Sequence, residues 1–271
     1  MTKRPNPKRN CIFYRPGCGR VTKEDVWPTW LTQYVPRDLK DYSMMIEQVH
    51  PSHSDTTRQK IDGDPRSRRV KFVCGSCNNG WMSELQNRAK PYVLPLVQGS
   101  PLVLRREAQE TLATWCAMSV MTSDFFYPQR PAIPQSDRDY LRSHWKPPPA
   151  TWKIWIGRYV RKNWQAHWVK NAMPLEYDGR VPALSADGLP MPNTQATTIV
   201  FGQLYVHAFS SIHPSLVSII SIEKLFEKIA QVWPVQEEFI AWPTKPMTDR
   251  DADNIQGAIC EALEGLSRYS K

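Results

Sequence analysis

The chain has no apolar run approaching the roughly 20 residues that cross a bilayer, so no membrane partner is expected. No apolar stretch follows the basic segment Met1–Asn10, so no secretory signal is expected and a cytoplasmic, reducing setting is. No repeat at solenoid periods is found, which excludes a stacked-repeat architecture. The six cysteines belong to such a reducing setting, in which paired spacing means metal more often than disulfide. Disorder is excluded as a general state, because 41% of the residues are apolar and only 23% charged.

Four of the six cysteines are grouped. Cys74-Gly-Ser-Cys77 is a Cys-x2-Cys turn, and Cys11 and Cys18 form a second, wider pair among the turn formers Arg15-Pro-Gly-Cys18-Gly19. Two thiols on a tight turn grip one ion from the same side, and a second pair completes a tetrahedron, so a structural zinc ion held by Cys11, Cys18, Cys74 and Cys77 is expected. Four merely buried thiols would leave their coincidence with turn residues unexplained. Cys116 and Cys260 fall outside the pairs and read as free core thiols.

Charge is uneven. Residues 1–92 hold 17 Lys/Arg against 9 Asp/Glu, whereas residues 93–271 hold 18 against 17, so nearly all of the +9 excess lies on the cysteine-bearing segment. Localised positive charge attracts polyanions through counterion release. A basic segment alone reads as a solvated face; beside a metal knot, nucleic acid, DNA foremost, is the better partner. Arg66, Arg68, Arg69 and Lys71 form the densest basic run and are the expected phosphate contacts.

The expected fold class is α+β. A flexible basic arm covers residues 1–10, and a zinc-bearing unit covers 11–92, with 36–69 as an inserted loop. A helical and antiparallel-sheet domain covers 93–271. Val26–Leu31 reads as a short strand or helix start, and Arg69–Val73 alternates as a strand entering the second cysteine turn. Trp81, Leu85 and Ala89 repeat at helical spacing up to Pro91, which is expected to end that helix. Leu104–Phe126 is an amphipathic helix with Ala108, Leu112, Trp115, Cys116 and Ser119 on one face. A short helix is expected over 137–144. Strands are expected at 152–156, 164–168, 197–209 and 216–222, with corners at Trp233-Pro234 and Trp242-Pro243. A capped final helix starts near Thr248 and Asp251, with Ile255, Ile259, Leu263 and Leu266 as its stripe. Trp152, Trp155, Trp164 and Trp168 read as sheet core in preference to a base-stacking platform.

Taken together, Cys11…Cys18-Gly, Thr22-Lys-Glu24-Asp25-Val-Trp-Pro28-Thr-Trp30-Leu31 and Val73-Cys-Gly-Ser-Cys-Asn78-Asn-Gly-Trp-Met82 resemble the HNH endonuclease superfamily. The likeness is to a bacterial and phage group with the pattern Cys-x2-Cys, Glu-His-Val-x-Pro-x-Trp, then Cys-x2-Cys-Asn-x-Gly-Trp. The resemblance implies a ββα-metal finger: a hairpin and a helix enclosing one catalytic Mg²⁺ or Mn²⁺, with zinc holding the base. It covers about the first third of the chain. Glu24 and Asn78 stand at its metal-ligand positions, since carboxylate and amide oxygens suit hard cations.

Three departures from the pattern follow. Asp25 occupies the position of the histidine that deprotonates the attacking water, and an ordinary aspartate, with a pKa of about 3.9, is poorly matched to that task. Arg69 falls near the family's middle asparagine, and Tyr14 stands where the first Cys-x2-Cys would place its second thiol. His50 and His53, in the inserted loop, are a remote source of a replacement base. His144, His167, His207 and His213 read as structural or surface residues. The leading expectation is an HNH-like metal-dependent endonuclease with impaired activity and catalytic residues Asp25, Glu24 and Asn78. The alternative is a zinc-containing nucleic-acid-binding protein with a degenerate site. A third reading is a protein-interaction scaffold built on the Trp-rich second half.

Overall fold

The structure is a computed structural model that describes residues 11–25, 28–34, 44–48, 69–126, 128, 130–165, 167–222 and 227–268. The architecture is α+β, built around a seven-stranded mixed sheet. Its centre is formed by β5 (Trp152–Tyr159), β6 (Trp168–Met173), β7 (Thr194–Phe201) and β8 (Leu204–Ser211), all antiparallel to their neighbours in the order β5-β8-β7-β6. Two parallel edges make the sheet mixed and not purely antiparallel as expected. One is β2 (Met44–Gln48) against β6, and the other is β11 (Pro246–Met247) against the end of β5. Strand β9 (Ile229–Trp233) covers the remainder of that β5 edge. Gly157 lies where β9 and β11 converge. A Cβ there would fall 2.4 Å from Met247 Sδ and 2.9 Å from Ile229 Cγ2, so any larger residue would force these side chains to shift.

Side-chain alternation divides the sheet between two cores. Trp152, Ile154, Ile156, Trp168, Ile199 and Val206 point into one, and Trp155, Tyr159, Val200, Tyr205 and Phe209 into the other. The second core is closed by α5 (Pro214–Ile219) and α6 (Asp249–Arg268), through Leu216, Val217, Ile255 and Ile259. The first is closed by α3 (Arg106–Ser123). This helix is buried on nearly every side, including Ala113, Ala117 and Val120, and is therefore a central helix and not the one-faced helix of the sequence reading. Its end continues into a 3₁₀ turn, Asp124–Phe126, and Leu104 belongs instead to β4 (Leu102–Arg105), paired with β10 (Phe239–Trp242).

The N-terminal elements pack on the α3 side. Strand β1 (Val21–Asp25) pairs antiparallel with β3 (Arg69–Cys74), and β3 leads directly into α1 (Gly75–Cys77). A wider helical turn over Asn78–Met82 follows, kinked at Gly80, and then α2 (Ser83–Gln98). Pro91 does not end this helix. Leu85, Ala89, Val93, Leu96 and Val97 are buried along it, and that packing outweighs the backbone bonds lost at Pro91 and Pro95. The expected boundary between residues 92 and 93 falls inside this helix. The segment read as a loop, 36–69, contributes strand β2.

Other differences are local. Val26 and Trp27 lie outside the described residues, and Thr29–Tyr34 forms a 3₁₀ helix. The run 197–209 is two strands joined at Gly202-Gln203. Residues 216–222 were expected as a strand, but 214–219 are helical. Pro214, whose fixed φ suits a first helical turn, starts α5, and buried Lys153 donates from Nζ to the carbonyls of Ser218 and Ile220 at its end. The short helix α4 (Gln135–His144) and the Thr248/Asp251 cap of α6 form as expected. Both Trp-Pro bonds are cis and follow β9 and β10. Among the described residues no helix is long and apolar enough to cross a membrane.

Candidate metal centre

The β1–β3 pair brings the two cysteine groups together. Ile12 N–H donates to the Phe72 carbonyl at 2.9 Å, which lays the first cysteine loop along β3. Cys18 N–H donates to the Arg15 carbonyl at 3.0 Å, closing the turn that takes up the wide Cys11–Cys18 spacing. The sulfurs of Cys11, Cys18, Cys74 and Cys77 lie within 4.8 Å of one another, with Cys18 Sγ and Cys77 Sγ 3.6 Å apart. A tetrahedral zinc ion with Zn–S bonds of about 2.3 Å has sulfurs about 3.8 Å apart, so the cluster is close enough to gather around one such ion. All four thiols are free, not disulfide-bonded.

The surroundings suit thiolates. Arg15 N–H points to Cys18 Sγ at 3.3 Å and Cys74 N–H to Cys11 Sγ at 3.4 Å. Cys74 Sγ lies 3.1 Å from Ser76 Oγ. Burial pushes the Cys74 thiol up, but donors from Ser76, the Cys77 backbone and the thiols of Cys77 and Cys18 outweigh it and bring its pKa down to about 6. Burial raises Cys77, and the neighbouring Cys74, Cys11 and Cys18 raise it further. Burial also raises Cys11. Thiolates packed this closely repel one another, and a divalent cation removes that repulsion. The donor set, its spacing and its N–H···S contacts fit a structural zinc ion.

The remaining site residues divide into two groups along β1. Val21 pairs with Cys74 at the cysteine end, whereas Glu24 pairs with Val70 and Asp25 with Arg69 at the other end, with a bulge between Thr22 and Glu24. The four steps from Val21 to Asp25 span about 13 Å. Arg69 Nε donates to Asp25 Oδ1 at 2.8 Å, so the carboxylate of Asp25 is engaged by a cation. Lys71 is exposed on β3, and Asn78 opens the helical turn directly after Cys77. The Glu24 side chain, Arg66, Arg68, His50 and His53 lie outside the described residues.

Comparison of the chain with family models, curated proteins and solved structures finds no match.

Several residues close to the cysteines carry no local sequence signal. From α4, Gln135 Nε2 donates to the Ile12 carbonyl at 3.0 Å, and Arg142 Nη1 donates to the Phe13 carbonyl and approaches Cys18 Sγ at 3.9 Å. Arg15 Nη2 in return donates to Ser143 Oγ. Phe13 is fully buried, edge-on to Trp81, which meets Trp145 beyond α4. The polar contacts join residues 123 to 129 positions apart in the chain, which no spacing pattern anticipates. Trp152, Trp155 and Trp168 are buried in the sheet, so they serve as core. Cys116 is a buried free thiol whose pKa burial pushes up. His207 is fully buried, and desolvation takes its pKa down to about 3, in keeping with a structural role.

Proposed function

We propose that the chain is an HNH-like nucleic-acid-processing protein: a zinc-held strand–strand–helix unit that engages a phosphodiester backbone and hydrolyses it weakly with a divalent ion. The observation that carries this reading is the order of parts. An antiparallel strand pair runs directly into a helix, four cysteine sulfurs gather at the junction, and the acidic pair stands on the first strand opposite a basic second strand. Glu24 is the oxygen donor at the acidic end of β1 that would suit Mg²⁺ or Mn²⁺, whereas Asn78 stands beside Cys77 at the other end of the strand pair. A divalent ion held there would polarise the scissile phosphate and stabilise the leaving oxygen. Arg69 and Lys71, on the same face of β3, would contact phosphate and fix register without reading sequence.

One observation favours a second reading, binding without hydrolysis. Asp25 is paired with Arg69, which occupies the carboxylate where the mechanism needs a proton acceptor. The deciding experiment measures cleavage of plasmid and single-stranded DNA with Mg²⁺ or Mn²⁺ by wild type and Asp25→His. Weak wild-type cleavage that rises at least tenfold in the variant is expected, an imidazole titrating near neutrality being worth about 10²–10⁴ as a general base. Cleavage by the variant alone selects the binding reading. Absence of both cleavage and binding at low salt removes the nucleic-acid role altogether.

A further inference from the structure

Helix α4 closes on the first cysteine loop through three polar contacts: Gln135 to the Ile12 carbonyl, Arg142 to the Phe13 carbonyl, and Arg15 to Ser143. Only one of these side chains also approaches a sulfur. Arg142 Nη1 lies 3.9 Å from Cys18 Sγ, and the carbonyl it holds, Phe13 O, also faces Cys18 Sγ at 3.8 Å and Cys77 Sγ at 3.7 Å. Among the described residues, no carboxylate pairs with Arg142.

A divalent ion with four thiolates carries a net charge of about −2, from formal charges alone. Cys11, Cys74 and Cys77 are buried, so water screens that charge poorly and it needs a nearby cation. Arg142 supplies one from outside the ligand set, on an element that the ββα unit does not contain.

We propose that Arg142 is a positioning residue of the cysteine metal centre: its guanidinium balances the tetrathiolate charge and anchors the Phe13 carbonyl, tying metal retention to the docking of α4. The inference rests on the zinc reading of the cysteine cluster. Outer-shell partners of metal ligands typically change affinity by about 10–100-fold when removed.

The test uses the full chain, loaded with Zn²⁺ and titrated against a chromogenic chelator, with Co²⁺ substitution as a spectral check. Arg142→Met is expected to hold Zn²⁺ about 10–100-fold more weakly than wild type. Arg142→Lys, which keeps the charge, recovers most of that loss. Gln135→Ala, which removes an uncharged contact from the same helix, stays close to wild type. The Co²⁺ thiolate charge-transfer band persists in all of them, showing that the ligand set still assembles. Equal affinity in wild type and Arg142→Met overturns the proposal. So does an equal loss in Arg142→Met, Arg142→Lys and Gln135→Ala, which would assign the effect to helix docking alone. Absence of the Co²⁺ band in wild type removes the metal centre itself, and this inference with it.

Discussion

Asp124, at the end of α3, is a buried charge with four hydrogen-bond partners. Its Oδ1 accepts from Ala132 N–H at 2.9 Å and from Lys170 Nζ, and its Oδ2 accepts from Ile133 N–H at 3.0 Å and Arg138 Nη2 at 2.8 Å. Carboxylate, guanidinium and ammonium are all almost fully buried, so one group fastens α3, the 130–133 segment, α4 and β6 together. Asp124→Asn keeps the shape but removes the carboxylate charge that Arg138 and Lys170 both pair with, and breaking such a buried pair typically costs about 3–5 kcal/mol. Asp137, whose charge also acts on Arg138, offsets part of this and favours the lower end of the range. Lys170→Met leaves Asp124 with Arg138 and both backbone donors, so its expected cost is smaller, about 1–3 kcal/mol. Urea unfolding followed by tryptophan fluorescence measures both. A cost below about 1 kcal/mol for Asp124→Asn at unchanged m-value, or a greater cost for Lys170→Met, would refute the assignment of Asp124 as the hub.

Four further outcomes are expected. Gly202 has φ +56°, and a Cβ there would fall 2.5 Å from the Val97 carbonyl oxygen, so Gly202→Ala should cost about 2–4 kcal/mol in thermal unfolding and loosen the β7–β8 turn from α2. Asp251 is desolvated by burial, but Lys228 and Thr248 outweigh this and hold its carboxyl below its ordinary 3.8. A folded value below the unfolded one gives stability that is complete above that ordinary value and lost as pH falls through the folded value. Asp251→Asn should therefore lower stability by about 1 kcal/mol at neutral pH and flatten the unfolding curve below about pH 4. Under the proposed function, Lys71→Ala should weaken DNA binding uniformly across sequences and reduce the log–log salt slope by about 1. By contrast, Arg69→Ala, which breaks an exposed pair, should change stability by no more than about 1 kcal/mol.

How far the sequence could be read depended on the range of each interaction. Cys74-Gly-Ser-Cys77 was legible because its thiols converge within one turn, and the α6 cap because Thr248 and Asp251 are three residues apart. The wide Cys11–Cys18 pair was the weaker half of the expected site, since its seating on β3 depends on the distant Phe72 carbonyl. Residues 216–222 misled because β-branched apolar residues suit a strand and a buried helix alike, and Lys153, 65 residues upstream of Ser218, contributes to the outcome. Pro91 misled because its local cost is overcome by packing that only the assembled core supplies. Arg142 and Asp124 were not legible at all. Each acts on partners brought near by the fold, and nothing within a few residues of either marks it.

Zinc K-edge absorption of the purified chain tests the central claim most directly. The account predicts one zinc ion per chain with four sulfur ligands at about 2.3 Å. A first shell of nitrogen and oxygen, or a chain that is fully folded and reduced yet holds no metal, would contradict it.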